Sequence, residues 1–252
     1  MSLLGKTALI TGAGRGIGKG CALALARRGA TVVVNDRPAS PDLAGTATEI
    51  KRAGGEALAV EADVFSRDGC ASLVNRTLKQ VEGIDILVSN PAYSVRGAFL
   101  DYDPEVFERV LQGTLVAGFH IGQLVARHMA ARGKGGKIVF ISSVHASIPL
   151  QNAIAYNAAK AGLNHMALSI ARELVPHKIN VNVIEPGWID TPGEHETFGA
   201  EALAEGGRAL PWKRLGSPAD IGSAAAFLSS AEADYITGTI MRVDGGYMHK
   251  DA

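Results

Sequence analysis

A phenol and a primary amine stand four residues apart at Tyr156 and Lys160, and a serine, Ser143, lies thirteen residues before the phenol. On a helix that spacing puts Tyr156 and Lys160 on one face, with their Cβ atoms about 5–6 Å apart. A free phenol ionises near pH 10, so a base working near neutrality needs its ionised form favoured by about 4 kcal/mol. One ammonium at ~4 Å, at an effective dielectric of about 20, supplies an interaction of that order. Tyr156 is therefore read as a general acid/base tuned by Lys160. Ser143 can hold an oxygen by a hydrogen bond and stabilise charge developing on it.

A second group of residues points to a phosphate. Thr11-Gly12-Ala13-Gly14-Arg15-Gly16-Ile17-Gly18 follows a short apolar run and opens a helical pattern. Such glycines let the backbone approach a pyrophosphate, whose charge then meets the N–H groups of a helix N-terminus. The spacing is Gly-x-x-x-Gly-x-Gly through Gly12, Gly16 and Gly18; Gly-x-Gly-x-x-Gly is not formed, because Ile17 takes its sixth position. Asp36 closes the next apolar run, 24 residues after Gly12. A carboxylate there accepts hydrogen bonds from adenosine ribose hydroxyls and repels a 2′-phosphate. Arg15 and Arg37 are the competing signal, since either can pair with that phosphate. The reading is NAD, with NADP as the alternative.

These residues need a scaffold that brings strand ends together. Short β-rich runs at 7–10, 31–35, 57–60, 84–88, 137–141, 179–184 and 239–243 alternate with helical patterns at 16–28, 42–53, 66–81, 104–132, 153–175 and 218–229. Most of the runs are continuous in Val, Ile and Leu, as in parallel strands covered on both faces. The fold class is α/β, a doubly wound and mainly parallel seven-stranded sheet, with ligand bound beyond the strands' C-terminal ends. The 252 residues, 47% of them hydrophobic, suit one domain spanning 1–252. Helices 104–132 and 153–175 are apolar on more than one side and need further cover, which a subunit interface would give.

Twenty-five basic and 25 acidic side chains leave no net charge, which removes the electrostatic argument for nucleic acid or an anionic membrane as partner. Cys21 and Cys70 match neither a disulfide framework nor metal spacing, and no metal site is expected. No basic-then-apolar leader and no run of about 18 apolar residues is present. The expectation is a soluble, cytoplasmic protein.

With Gly12–Gly18, Ser143, Tyr156-x-x-x-Lys160 and Pro186-Gly187 in register, the chain closely resembles the short-chain dehydrogenase/reductase family from Lys6 to Val243-Asp244-Gly245-Gly246. The resemblance implies a Rossmann-like fold, a nicotinamide cofactor, alcohol–carbonyl interconversion on a small molecule, and homotetramers (or dimers) built through the two long helices. It implies that Gly12, Arg15, Gly16, Ile17, Gly18, Asp36, Asp63, Val64 and Asn90 border the nucleotide. Pro186, Gly187, Ile189 and Thr191 would border the nicotinamide, Lys160 would also hold its ribose, and Ser143, Tyr156 and Lys160 would be catalytic.

Two positions depart from the family. Ser89-Asn90-Pro91-Ala92 replaces the usual Asn-Asn-Ala-Gly, and Pro91 removes a backbone donor. Thr114 stands where the family usually places a catalytic asparagine; its hydroxyl can bind a water but offers no amide, which bears on the proton relay behind Lys160. Ser142-Ser143-Val144-His145 with Ile148-Pro149 is similar to bacterial glucose 1-dehydrogenases of the family, which points to a sugar or polyol, with His145 and Trp188 as candidate substrate contacts. A 3-oxoacyl-[acyl-carrier-protein] reductase using NADPH is the competing enzyme. A cofactor-binding scaffold or sensor with vestigial catalysis is the reading from another class. The stretch 191–212 breaks the strand–helix rhythm and is read as a substrate lid, on which Glu194, His195, Glu196 and Glu201 are either more polar than a fatty-acyl tunnel requires or a solvated lid surface.

Overall fold

The structure, a computed structural model, describes residues 2–250. Its strands are β1 (Thr7–Ile10), β2 (Thr31–Asp36), β3 (Glu56–Glu61), β4 (Ile86–Ser89), β5 (Gly136–Ile141), β6 (Ile179–Pro186) and β7 (Ile240–Val243). They form one sheet in the order β3-β2-β1-β4-β5-β6-β7, and every neighbouring pair is parallel. The helices are α1 (Gly16–Ala26), α2 (Leu43–Arg52), α3 (Arg67–Leu78), α4 (Pro104–Leu111), α5 (Ala117–Arg132), α6 (Ile154–Leu174), α7 (Pro192–Phe198), α8 (Ala200–Ala209) and α9 (Pro218–Leu228).

The continuous apolar runs are explained by two cores. Ile10, Val32 and Val34 pack with Cys21, Leu25, Ile50 and Ile221 on one side of the sheet. Leu9, Val33 and Leu87 pack with Cys70, Ile121, Phe140 and Leu163 on the other. Alternate residues of the central strands feed opposite layers, so nearly every position there is apolar. Cys21 and Cys70 are free, buried and in different layers. Among the described residues no helix is long and apolar enough to cross a membrane, and no acid, cysteine and histidine cluster is arranged to hold a metal ion.

Two segments differ in kind from the sequence reading, and several element ends shift by one to three residues. The helix expected at 104–132 is α4 and α5 joined by one wider, π-helical turn, Gln112–Val116, which contains Thr114. The segment 191–212 contains two short helices, α7 and α8, meeting at Gly199 (φ 78°). β4 starts at Ile86 rather than 84, and the Ile84 N–H donates to His128 Nε2 (3.2 Å) instead of to a neighbouring strand.

The order of the sheet reverses beside β1, which has β2 on one side and β4 on the other. Because all strands are parallel, the glycine loop after β1, Asp36 at the end of β2, Asp63 after β3, Asn90 after β4, Ser143 after β5 and Gly187 after β6 share one edge of the sheet. That edge, at the switch point, is where an open α/β sheet leaves a crevice.

Candidate active site

At the nucleotide end, Gly12 adopts a φ of 60°, and a Cβ on Gly18 would fall 2.1 Å from the Gly12 carbonyl oxygen. The loop and the first turn of α1 therefore touch backbone to backbone, presenting the helix N-terminus with no side chain in the way. The Asp36 carboxylate closes the same space: a Cβ on Gly14 would lie 2.2 Å from its Oδ2. Its Oδ1 accepts from the Arg37 N–H (2.8 Å) and its Oδ2 from the Ser40 hydroxyl (2.9 Å). Asp63 accepts from the Phe65 N–H (3.0 Å), and Val64 is buried beside it. The Asn90 N–H donates to Thr11 Oγ1 (2.9 Å) and its Nδ2 to the Gly12 carbonyl (3.3 Å), fixing the β4 loop against the glycine loop. This cradle, with a carboxylate where ribose hydroxyls would lie, fits a dinucleotide.

Arg15 is engaged across the cleft mouth. Its guanidinium spans to Glu196 on α7 with contacts of 2.5 and 3.1 Å, tying the glycine loop to the 191–212 segment. Thr191 caps α7 by accepting from the Glu194 N–H, and its Cγ2 lies 3.5 Å from the Cβ position of Gly16.

The chemical end is one cleft of about 710 Å³ whose walls include Ile17, Ser143, His145, Tyr156, Pro186, Gly187, Trp188, Ile189 and Thr191. Residues expected around a nicotinamide and residues expected at the substrate thus face the same space. Ser143 caps a short turn over Val144–Ala146, its Oγ accepting from the His145 N–H (3.2 Å). Lys160 is 2% exposed; its Nζ donates to the Ile141 carbonyl at the end of β5 (2.8 Å) and lies 5.4 Å from the centre of the Tyr156 ring.

Burial decides the protonation of this pair. It pushes Tyr156 up, the Glu194 charge adds to the rise, and a hydrogen bond with Ser143 opposes it. Burial also pulls Lys160 down to about 7. Burial thus favours the neutral form of both groups and opposes the lowering of the phenol by an ammonium, while one Lys160 N–H is taken by the Ile141 carbonyl.

His145 lies edge-on to Tyr156, ring centres 5.2 Å apart. Its Nδ1 is 2.7 Å from Asn157 Oδ1, and Asn157 Nδ2 donates to the Leu150 carbonyl (2.9 Å). The amide oxygen is then the acceptor, so Nδ1 carries the hydrogen and Nε2 is a bare acceptor. Burial lowers the His145 pKa and keeps the ring neutral. Trp188 donates from Nε1 to Glu194 Oε2 (2.7 Å) and meets Phe198 edge-on at 5.7 Å. Glu194 lines the cleft, whereas His195 Nε2 pairs with Asp190 Oδ1 at 2.7 Å.

Thr114, fully buried, accepts from the Tyr93 N–H (3.0 Å) and donates to the Tyr93 carbonyl (2.8 Å). Its hydroxyl pins the loop containing Pro91 rather than offering a free donor to a water. Three residues were not singled out from the sequence. Asn157 orients His145. Arg96 reaches the cleft from the loop after β4. Glu185, 0% exposed, accepts from Ser147 Oγ (2.9 Å), Asn164 Nδ2 (2.6 Å) and Arg242 Nε (3.2 Å), and Arg242 is its direct partner in the β6–β7 register. Only the Asn157 position, between Tyr156 and Lys160, carried a local signal.

The family described as enoyl-(acyl carrier protein) reductase has a model that matches residues 12–248. Glucose 1-dehydrogenase 2 of Bacillus subtilis is 33% identical over 97% of this chain and 94% of its own. The crystal structure of a short-chain type dehydrogenase/reductase from Mycobacterium marinum superposes with a TM-score of 0.92 at 37% identity, covering 98% of this chain and 96% of that one. A structure named for a 2-deoxy-D-gluconate 3-dehydrogenase of Agrobacterium tumefaciens, with NADP bound, gives 0.88 at 35% identity, covering 98% of each chain. With these matches running nearly end to end over the cradle and the cleft, the chain belongs to the short-chain dehydrogenase/reductase family, NAD(P)-dependent oxidoreductases acting on CH–OH donors.

Proposed function

We propose that this protein interconverts a secondary alcohol of a sugar or polyol with its carbonyl, with NAD as the favoured cofactor and Ser143, Tyr156 and Lys160 as the catalytic residues. The observation that carries the reading is the single cleft shared by Ser143 and Tyr156 with Ile17, Pro186, Gly187 and Thr191. The oxidised cofactor, when bound, supplies the hydride acceptor and a positive charge close to the phenol. Ser143 holds the substrate oxygen and steadies charge developing on it. Tyr156 takes the hydroxyl proton in oxidation and returns it in reduction. Lys160, fixed by Ile141, holds the ribose and presents the charge or hydrogen bond that favours the phenolate. The bare Nε2 of His145 is an acceptor for a neighbouring substrate hydroxyl, which suits a polyol. Trp188 forms the opposite wall.

Asp36 supports NAD, because its carboxylate against Gly14 would repel a 2′-phosphate while Arg15 is engaged with Glu196. The NADP in the Agrobacterium neighbour weighs the other way for the family at large. The segment 191–212 is read as a lid latched by Arg15–Glu196. The buried thiols of Cys21 and Cys70 favour a reducing, cytoplasmic setting. Assembly into a homotetramer would cover the large apolar side chains near α4 and α5, since Phe99, Leu100 and Phe119 are 74%, 92% and 40% exposed.

Absorbance at 340 nm over a panel of sugars, polyols, ketones and acyl thioesters should show turnover with polyhydroxy substrates. Tyr156→Phe should lower kcat by about 10²-fold or more, as expected for loss of a general acid/base; retained turnover would remove Tyr156 from that role. Wild-type kcat/KM should favour NAD over NADP by about tenfold, or ~1.4 kcal/mol, and Asp36→Ser should narrow the gap. A strong NADP(H) preference would contradict the reading of Asp36 and favour the acyl reductase. Lys160 titrates near 7 in the folded, cofactor-free protein, against about 10.4 in the unfolded chain. Between those values only the unfolded chain keeps the proton, so stability gained from Lys160 rises with pH. The melting temperature relative to Lys160→Met should therefore shift in favour of the wild type from about pH 7 to 9; a flat difference would mean the amine stays charged. Light scattering should find an assembly larger than the monomer, and a monomeric mass would refute the interface.

A further inference from the structure

The cleft contains a cation that the proposed reaction does not use. Arg96 lines it, with the guanidinium carbon 4.9 Å above the centre of the Phe198 ring, and among the described residues it has no ion-pair partner. Its backbone is held on both sides. The Val95 carbonyl accepts from the Tyr102 hydroxyl (2.7 Å), and the Gly97 N–H donates to the Asn152 carbonyl (3.0 Å). A solvated arginine on an irregular loop has no need of such anchoring. Here a clamped backbone and an aromatic platform hold a planar fork of N–H donors beside the cleft.

We propose that Arg96 receives a carboxylate of the substrate, so that the alcohol oxidised here belongs to a hydroxy acid, in the polyol case a sugar acid. This rests on the cleft being the site of alcohol oxidation. A guanidinium pairs with carboxylate through two parallel hydrogen bonds. Its charge reaches His145, whose pKa it lowers after burial has done so. The other fixed charge in the cleft, Glu194, acts on Tyr156 and is bonded to the Trp188 indole. An acidic substrate is therefore repelled from the acid/base end and drawn to Arg96, which leaves its carbinol for Ser143 and Tyr156. A phosphate dianion is the poorer fit, because Arg96 is the only lysine or arginine among the described residues lining the cleft and Glu194 shares the space.

The test compares acids with neutral counterparts, using the full-length protein with NAD and NADP. The probes are gluconate against glucitol, and 4-hydroxycyclohexanecarboxylate against its methyl ester. The acid-to-neutral ratio of kcat/KM should be about tenfold or more in the wild type, as for a charge-assisted pair. In Arg96→Gln it should fall towards one through a rise in KM for the acids, and Arg96→Lys should recover part of it. Neutral counterparts used as well as the acids, a ratio unmoved by Arg96→Gln, or a preference for glucose 6-phosphate over gluconate would each overturn the carboxylate while leaving alcohol oxidation standing. Absence of turnover with every alcohol would overturn the reading of the cleft itself.

Discussion

A lysine that is almost wholly out of water is the constraint around which this site is built. Lys160 has a backbone carbonyl, Ile141, as its hydrogen-bond acceptor, and among the described residues no carboxylate pairs with it. A buried amine without a counter-ion loses its proton more readily, and that cost is set by the packing of α6 against the ends of β5 and β6. The same packing carries Tyr156, four residues earlier on α6, to the wall of the cleft and raises its pKa. In this fold burial favours the uncharged form of both groups.

Around that pair the loops are held by polar side chains rather than by sheet or helix. Thr114 grips the Tyr93 backbone, Asn157 joins His145 to the Leu150 carbonyl, and Asn90 links the β4 loop to Gly12. Each tie ends on a backbone group of a loop, and two of them reach it from helical residues, Thr114 and Asn157. The wider turn at Gln112–Val116 belongs to the same design, since it places Thr114 opposite Tyr93.

The sequence made the sheet legible because parallel strands covered on both faces must be apolar at every position, and Val32-Val33-Val34 or Ile138-Val139-Phe140-Ile141 leave few alternatives. Ser143, Tyr156 and Lys160 were legible because two of them share a helical spacing and the third ends a strand. The effect of burial on their ionisation was not. Proximity of a phenol and an amine can be read from spacing, but exclusion of water depends on the surrounding fold. The pairing of Arg15 with Glu196 was not legible, because the two lie 181 residues apart with no local pattern linking them. Arg96 escaped notice for a related reason: it sits in a loop without periodicity, and only the folded loop shows it facing Phe198.

The buried carboxylate of Glu185 has a consequence for the sheet as well as for the site. β7 is an edge strand, and of its four residues only Arg242 brings a charge to β6. A slip of one residue along β6 would turn Arg242 to the other face and leave Glu185 facing Ser147 and Asn164 without a cation. An unpaired charge in a fully buried position is costly enough to exclude that register. Glu185–Arg242 therefore acts as a register pin for the edge of the sheet, and through Gly187, whose N–H donates to the Val243 carbonyl at 3.1 Å, alignment of the last strand sets the floor of the cleft.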